Sequence, residues 1–273
     1  MQINCEGKLM DLTRPKIMGI LNATPDSFYD GGKNNRPESA LKQVEKLLSE
    51  GADFIDVGGA STRPGAAEVS ETEELNRVIP VIDAVLKEFP EVVVSVDTYR
   101  AKVAEAAVWA GAALINDISA GNMDADMLPT VGRLKVPYIL MHMQGTPRNM
   151  QENPVYENVV LEVNSFLSEK ILALRKLGIN DIILDPGFGF GKTLEQNYEL
   201  MKNLDLIGFG DFPLLIGVSR KSMVTRLLGV NPSEALNGTA LLNFYALQKG
   251  AKILRVHDVK EAGEAIRIWE MLA

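Results

Sequence analysis

The sequence predicts an α/β protein built as a single parallel (β/α)8 barrel, or TIM barrel, with a short N-terminal hairpin. Eight short apolar runs alternate with segments that are long enough for a helix. The length of 273 residues also suits such a barrel, which typically needs roughly 250. Because no Pro/Ser-rich linker, repeat or low-complexity tract divides the chain, we expect residues 1–273 to form one barrel domain rather than two domains.

The first predicted element is a small hairpin over Asn4 to Thr13 that turns at Glu6-Gly7 and covers the bottom of the barrel. The eight apolar runs follow, and they indicate strands that are buried on both faces. In a parallel barrel the carboxyl ends of all strands meet at one face, where active sites lie. A polar residue ends each run, so we expect these residues around one barrel mouth. In chain order they are Asn22, Asp56, Asp97, Asn116, His142, Asp185, Ser219 and Arg255.

Helical periodicity fills the segments between the runs. The first predicted helix, residues 37–50, places five apolar side chains on one face, and Gly51 ends it. A helix is also expected after Ser219 to Met223, where the seventh strand ends. The other predicted helices cover residues 72–89, 100–110, 123–134, 156–177, 193–203, 236–249 and 259–271.

A doubly wound open sheet uses the same alternation of strands and helices and is the competing architecture. It normally carries a Gly-x-Gly-x-x-Gly turn after its first strand. This chain has Asn-Ala-Thr-Pro-Asp-Ser-Phe there, from Asn22 to Phe28, so we favour the barrel.

The composition excludes several classes of partner. A formal net charge of −8 and a pI near 5.0 argue against a broad nucleic-acid surface, so we expect small-molecule partners. No apolar stretch approaches the roughly 20 residues that span a bilayer, and no signal-peptide core is present, so we expect no membrane association and a cytoplasmic location. The single cysteine, Cys5, rules out an intrachain disulfide.

Two kinds of polar group are predicted at the barrel mouth. Asp97, Asn116 and Asp185 end strands and need hydrogen-bond donors once they are desolvated, which a flat heterocycle with an amino group beside a ring N–H supplies. Each of them alternatively caps the following helix, and for Asp97 that alternative is equally good. The second kind is cationic: Arg63, in a Gly-rich loop, and Lys221, Arg255 and His257 indicate an anion site.

Three further loops bear on the site. Asn22 to Gly32 is long and suits a mobile lid, although Asp26 and Ser27 alternatively only cap a turn. In Asp185 to Lys192, an aromatic set between glycines, Phe188 or Phe190, is expected to wall a cleft for a flat ring. The N–H groups of the helix that follows Lys221 favour a carboxylate near Ser222. For His142 we favour a structural role.

Five segments, in this order, resemble the dihydropteroate synthase family, and the resemblance covers nearly the whole chain. The segments are Asn22-x-Thr24-Pro25-Asp26-Ser27-Phe28, Asp56-x-Gly58-Gly59-x-Ser61-Thr62-Arg63-Pro64-Gly65, Asp185-Pro186-Gly187-Phe188-Gly189-Phe190, Ser219-Arg220-Lys221-Ser222 and Arg255-Val256-His257-Asp258.

The resemblance implies a transferase that condenses 6-hydroxymethyl-7,8-dihydropterin diphosphate with 4-aminobenzoate in folate biosynthesis, on a homodimeric barrel that needs Mg²⁺ and is a sulfonamide target. The implied catalytic residues are Asp97, Asp185, Lys221, Arg255 and Asp26. The implied pterin contacts are Asp97, Asn116, Asp185, Lys221 and Met141, and the implied diphosphate contacts are Arg63, Arg255 and His257. The implied 4-aminobenzoate contacts are Thr62, Pro64, Phe28, Phe190 and Ser222, and Asn22 is the implied metal contact.

The chain departs from the family pattern at Ala60, where the family usually has glutamate, and at Tyr99-Arg100. Two other functions are therefore kept as alternatives. One is a pterin-binding methyltransferase barrel, which has no use for a diphosphate site. The other is a non-catalytic paralogue, for which Ala60 is the only hint.

Overall fold

The computed structural model describes residues 1–23, 36–60 and 69–272. Eight parallel strands form a closed barrel in chain order, and the last strand pairs with the first. The closed barrel confirms the predicted fold class and excludes the open sheet. The barrel strands are β3 Lys16–Asn22, β4 Phe54–Gly58, β5 Val93–Asp97, β6 Leu114–Asp117, β7 Tyr138–Met141, β8 Ile182–Asp185, β9 Leu214–Ile216 and β10 Ala251–Val256.

Helices follow the barrel strands, as the periodicity predicts. Most of the predicted helices begin and end within three residues of the observed bounds. The helices are α1 Arg36–Ser49, α2 Glu71–Glu88, α3 Ala101–Trp109, α4 Met127–Leu134, α5 Val159–Lys176, α6 Leu194–Lys202, α7 Ser222–Leu228, α8 Leu236–Gln248 and α9 Val259–Leu272.

The predicted hairpin is confirmed. Strands β1 Gln2–Cys5 and β2 Lys8–Asp11 pair antiparallel around Glu6 and Gly7. Both turn residues have positive φ, 52° and 87°, as a two-residue turn of type I′ requires.

The barrel interior begins with an apolar layer, which we call the barrel floor. Each barrel strand contributes one buried side chain to the floor, and the hairpin packs beneath it. The floor consists of Met18, Phe54, Val93, Leu114, Ile139, Ile183, Leu215 and Ile253, with Ile3, Cys5, Leu12 and Ala113 packed against them. Since residues i and i+2 of a strand face the same side, the next inward positions include Asp56, Asn116, Asp185 and Arg255. The floor therefore puts polar groups directly above apolar packing.

In the described part of the chain, the stretch before α4 and a 3-10 segment before β9 differ from the prediction. Helix α4 begins at Met127, four residues after the predicted start at Met123. The reason is that the Asp124 side chain accepts hydrogen bonds from the backbone N–H groups of Ala101 and Asp126, which keeps this stretch in turns. A 3-10 segment at Leu204–Gly210, which the sequence does not predict, lies between α6 and β9.

Candidate active site

An arginine held between two carboxylates occupies the mouth of the barrel. Arg255 Nε donates to Asp56 Oδ2 at 2.6 Å, and Arg255 Nη2 donates to Asp97 Oδ2 at 2.6 Å. The side-chain amide of Asn116 donates to the same Asp56 oxygen at 3.0 Å. Three strands that are far apart in the sequence, β4, β5 and β10, thereby share one charged cluster, with β6 beside it.

Burial governs the protonation of this cluster. Desolvation raises the pKa of Asp97 to about 7, although the charge of Arg255 opposes the shift. For Asp185 on β8, burial again raises the pKa, and Lys221 opposes it. Burial disfavours the charge of Arg255, but the two carboxylates beside it outweigh this and raise its pKa, so it stays charged.

Asp97 acts in this cluster and does not cap α3. The N-cap residue of α3 is Arg100, which makes no side-chain cap hydrogen bond, and the Ala101 N–H donates to Asp124 at 2.8 Å. The alternative interpretation of Asp97 as a helix cap is therefore wrong.

Lys221 lies on the β9 side of the mouth, as the N-cap residue of α7. Its Nζ donates to the Phe188 carbonyl at 2.7 Å and lies 4.6 Å from the centre of the Phe190 ring. Burial lowers the pKa of Lys221 to about 8, while Asp185 opposes the shift. The pKa of Lys221 therefore lies close to neutral pH, where a small rise in pH removes its charge.

The glycine-rich loop that follows β8 folds around a second buried lysine. Lys192 Nζ donates to the carbonyls of Gly187 at 2.9 Å and Phe190 at 3.2 Å, and it lies 3.0 Å from His142 Nδ1. At Gly187, whose φ is +72°, an added Cβ would lie 1.8 Å from the His142 carbonyl oxygen, so only glycine fits. The loop thereby sets the position of Phe188 and Phe190 beside Lys221.

His142 is structural, as expected. Burial and then the neighbouring Lys192 lower its pKa to about 2, so the ring stays neutral. It packs edge-on against Phe166 at 5.0 Å.

An apolar surface, which we call the methionine shelf, lies at the mouth. It is buried and is flanked by two partly buried aromatic rings, Tyr99 and Phe190. The two glycine-loop aromatics therefore differ: Phe190 borders the shelf, whereas Phe188 is fully buried in the outer core. The shelf consists of Ile118, Met141, Met143 and Met150. Polarizable thioethers suit contact with a flat ring.

His257 and Asn22 occupy the rim of the same mouth. His257 Nδ1 lies 3.0 Å from the Ser219 hydroxyl, whose oxygen also accepts the His257 N–H at 3.2 Å. Asn22 is the last residue of β3, and its side chain is partly exposed. Ser222 is the first residue of α7. The sequence-predicted residues on β3 and β5 to β10 thus lie at one end of the barrel.

Five predicted site residues lie outside the described residues, so their placement stays a prediction. They are Asp26, Phe28, Thr62, Arg63 and Pro64. Conversely, the sequence did not single out Asp56 and Lys192 as parts of the site. Asp56 was visible only as one more strand end, and its partner Arg255 is 199 residues away.

The barrel fold, the polar side chains at its mouth and the methionine shelf define a class of barrel enzymes that bind a flat heterocycle. The polar side chains are Asp97, Asn116, Asp185 and Lys221. Residues 18–257 match the model of the "Pterin binding enzyme" family. The dihydropteroate synthase of Escherichia coli K12 is 47% identical over 99% of this chain and 96% of that protein. A Yersinia pestis dihydropteroate synthase in a sulfonamide complex has a TM-score of 0.93 at 47% identity, covering 100% of this chain and 99% of the other.

A third similar structure is the Xanthomonas albilineans dihydropteroate synthase in complex with 7,8-dihydropteroate. Its TM-score is 0.90 at 39% identity, and the match covers 100% of this chain and 98% of the other. The chain belongs to the dihydropteroate synthase family of transferases.

Proposed function

We propose that this protein condenses 6-hydroxymethyl-7,8-dihydropterin diphosphate with 4-aminobenzoate to give 7,8-dihydropteroate and pyrophosphate, in tetrahydrofolate biosynthesis. One observation carries the proposal beyond family membership. Asp97, Asn116 and Lys221 lie with Asp185 at one barrel mouth, beside the apolar methionine shelf. These side chains thus offer hydrogen-bond acceptors to the donors of a pterin and a cation to its acceptor atoms.

The pterin is held by complementary hydrogen bonds in this proposal. The carboxylate of Asp185 accepts from the adjacent amino and ring N–H groups, and Asp97 and Asn116 meet the other polar edge. Lys221 reaches an acceptor atom of the ring. Met141, in the methionine shelf, contacts the ring face.

Loss of pyrophosphate precedes attack in the proposed mechanism. The bond between the pterin methylene carbon and the diphosphate oxygen breaks, and its electron pair leaves with the diphosphate. Buried Asp97 and Asp185 stabilise the positive charge that is left on the pterin. The neutral arylamine nitrogen then forms the new C–N bond and releases one proton, and no strong general base is required.

The leaving diphosphate is stabilised by Arg63, Arg255 and His257. The contacts of Arg255 refine this role, because Asp56 and Asp97 already hold two of its nitrogens. In this proposal Arg255 lies between the pterin and its leaving group, and its remaining N–H donors face the diphosphate.

Asn22 would hold Mg²⁺ together with the substrate diphosphate. Among residues 1–23, 36–60 and 69–272, no three His, Cys, Asp or Glu side chains are grouped as a metal site. One amide oxygen from a strand end fits, because Mg²⁺ commonly takes one or two protein oxygens and completes its shell with phosphates and waters. When bound, the ion neutralises charge on the leaving diphosphate.

The 4-aminobenzoate lies between loop residues and the start of α7. Phe190 borders the methionine shelf on the side of Lys221, which supports its role as a wall for the arylamine. Ser222 opens α7 and would meet the carboxylate. Thr62, Pro64 and Phe28 complete this side, and Asp26 is proposed to act from the same loop as Phe28.

Pyrophosphate release from the pterin diphosphate, with and without 4-aminobenzoate and with and without Mg²⁺, tests the function and the order of steps. We expect dihydropteroate only with all three present. Slow pyrophosphate release without the arylamine supports loss of the leaving group first. No bond cleavage in its absence would contradict the dissociative order, and no product under any condition would contradict the function.

We also propose that the chain is a single domain that works as a cytoplasmic homodimer. Helices α7, α8 and α9 expose large apolar side chains, including Leu227, Leu241 and Met271, which supports a partner surface there. Among the described residues, every helix is too short or too polar to cross a membrane. The single cysteine, Cys5, is buried, which fits a reducing compartment.

A further inference from the structure

Arg220 has a backbone conformation that its side chain disfavours. Its φ is +56°, in the left-handed region. The residue lies in the turn that connects β9 to α7. A non-glycine residue in this region is strained, and it persists only where its surroundings hold it there. Such strained residues cluster at functional sites.

Two sets of contacts hold this conformation. The Arg220 guanidinium binds Asp258 with both ends of its fork, Nε to Oδ2 at 3.0 Å and Nη2 to Oδ1 at 2.5 Å. The Arg220 backbone N–H donates to the hydroxyl of Thr239, a buried residue of α8. The side chain of Arg220 is therefore fixed by Asp258, in the loop after β10, and its backbone is fixed by α8.

The ion pair has the geometry that makes a surface pair effective. Most exposed ion pairs contribute little, because both side chains lose rotamer freedom and water screens their charges. Here the arginine side chain is 38% exposed, but the carboxylate is only 15% exposed. The planar fork is engaged at two points, which fixes direction as well as distance.

The residues beside this pair either have a role in the proposed function or contact a residue that does. Ser219 precedes Arg220 and contacts His257, and Lys221 follows it and contacts the glycine-rich loop. Asp258 follows His257 directly. The pair therefore connects the loop after β9 to the loop after β10, and each loop carries its site residues within two positions of the connection.

We propose that the Arg220–Asp258 ion pair is a positioning lock, which holds the left-handed turn at Arg220 so that Lys221 and Ser222 face the substrates. This inference rests on the proposed function. Arg220 is a positioning residue and touches neither substrate. Without the lock, the turn relaxes toward ordinary backbone angles, and only a fraction of molecules presents Lys221 and Ser222 correctly.

Comparison of Arg220→Ala with Arg220→Gly separates the lock from simple loss of charge. Both variants lose the ion pair, but glycine adopts positive φ without steric cost and alanine does not. If substrates bind only the locked state, the apparent KM rises by the inverse of the locked fraction while kcat is largely kept. We expect the KM for 4-aminobenzoate to rise about tenfold in Arg220→Ala and about two- to threefold in Arg220→Gly.

Lys135→Gly is the matched control. Lys135 has nearly the same φ as Arg220, 57° against 56°, at the exposed end of α4, so it reports the general effect of placing glycine at a left-handed position. We expect its KM values to equal those of the wild type. Asp258→Asn should behave like Arg220→Ala, and the double variant should be no worse than either single variant.

Three results would contradict the positioning lock. Equal KM values for Arg220→Ala and Arg220→Gly, or an unchanged KM in Arg220→Ala, would overturn the lock. A fall in kcat at unchanged KM would also overturn it, because that is the result of a smaller folded fraction. Formation of dihydropteroate by the wild type tests the proposed function separately. If the wild type is active and Arg220→Ala has wild-type kinetics, the lock is wrong and the proposed function stands.

Discussion

At the scale of single residues, the site depends on one guanidinium shared by two carboxylates. Arg255 fixes the separation of Asp56 and Asp97, and Asp56 in turn receives the amide of Asn116. Removing the arginine leaves two buried carboxylates without their cation, which raises the pKa of Asp97 further and weakens its hold on a positively charged pterin.

Arg255→Ala should therefore lower kcat by about 10²–10³-fold, the usual effect of losing one charge-assisted contact in a closed site. Steady-state kinetics with both substrates measures this. Arg14→Ala is the control, since Arg14 forms an exposed ion pair with Glu270 far from the mouth. Near-normal turnover of Arg255→Ala would remove this residue from the reaction.

The charge of Lys221 should set the alkaline limit of activity. Burial lowers its pKa to about 8, so the ammonium loses its proton as pH rises through that value, and kcat/KM for the pterin diphosphate should fall there. In Lys221→Arg the cation persists at all accessible pH values, so the alkaline fall should disappear even if the maximum is lower. Lys260→Arg, on the exposed side of α9, should keep the wild-type profile. An alkaline limb that stays in Lys221→Arg would assign it to another group.

The sequence predicted which residues end strands, because a buried parallel strand reads as an apolar run that stops at a polar residue. It could not predict which ends touch. The sequence predicts Arg255 only as part of an anion site with Lys221 and His257. Its contacts with Asp56 and Asp97 depend on barrel closure, which pairs β10 with β3 and has no local sequence signal.

At the scale of elements, Arg77 of helix α2 and Arg100 at the start of α3 hold the two ends of the loop that follows β4. Arg77 Nη1 donates to the Gly59 carbonyl at 2.9 Å, and Arg100 Nη2 donates to the Val69 carbonyl at 2.6 Å. Glu74, buried in α2, pairs with Arg100 and accepts the Thr98 hydroxyl at 2.6 Å. This network explains Arg100, which follows the atypical Tyr99, and it places a carboxylate near the loop that carries Ala60.

Glu74→Leu should lower the free energy of unfolding by about 3 kcal/mol, because it leaves Arg100 largely buried without its counter-charge. Urea unfolding measures the loss. Glu88→Leu, at the exposed end of the same helix, should change the stability by less than about 0.5 kcal/mol. Similar losses in both variants would show that the Glu74 network adds no specific stability.

Helix periodicity located the helices, but two boundaries depended on contacts between elements. The stretch before α4 is held in turns by Asp124, which caps α3 from outside that helix. The 3-10 segment at Leu204–Gly210 is held by Asn164 of α5, whose side chain bonds the Leu206 carbonyl and the Gly208 N–H. Neither contact has a counterpart in the local sequence.

At the scale of the whole molecule, the exposed apolar side chains of α7, α8 and α9 are the basis for the proposed dimer. Leu241→Asp, on α8, should convert a dimer to a monomer, because it buries a charge in an apolar interface. Leu161→Asp on α5 is the matched control, since the two leucines are 63% and 66% exposed. Light scattering after size exclusion gives the mass. A wild-type mass of one chain, or the same mass for both variants, would count against this surface.

The barrel floor has a consequence for the fidelity of the reaction. Every side chain in it is nearly inaccessible, so water cannot reach the pterin through the floor and comes from the opposite end, the direction that we propose for the arylamine. Solvolysis of the activated pterin to the free alcohol and productive amination therefore compete for one entrance. The ratio of these two products is decided by how completely the incoming arylamine fills that entrance.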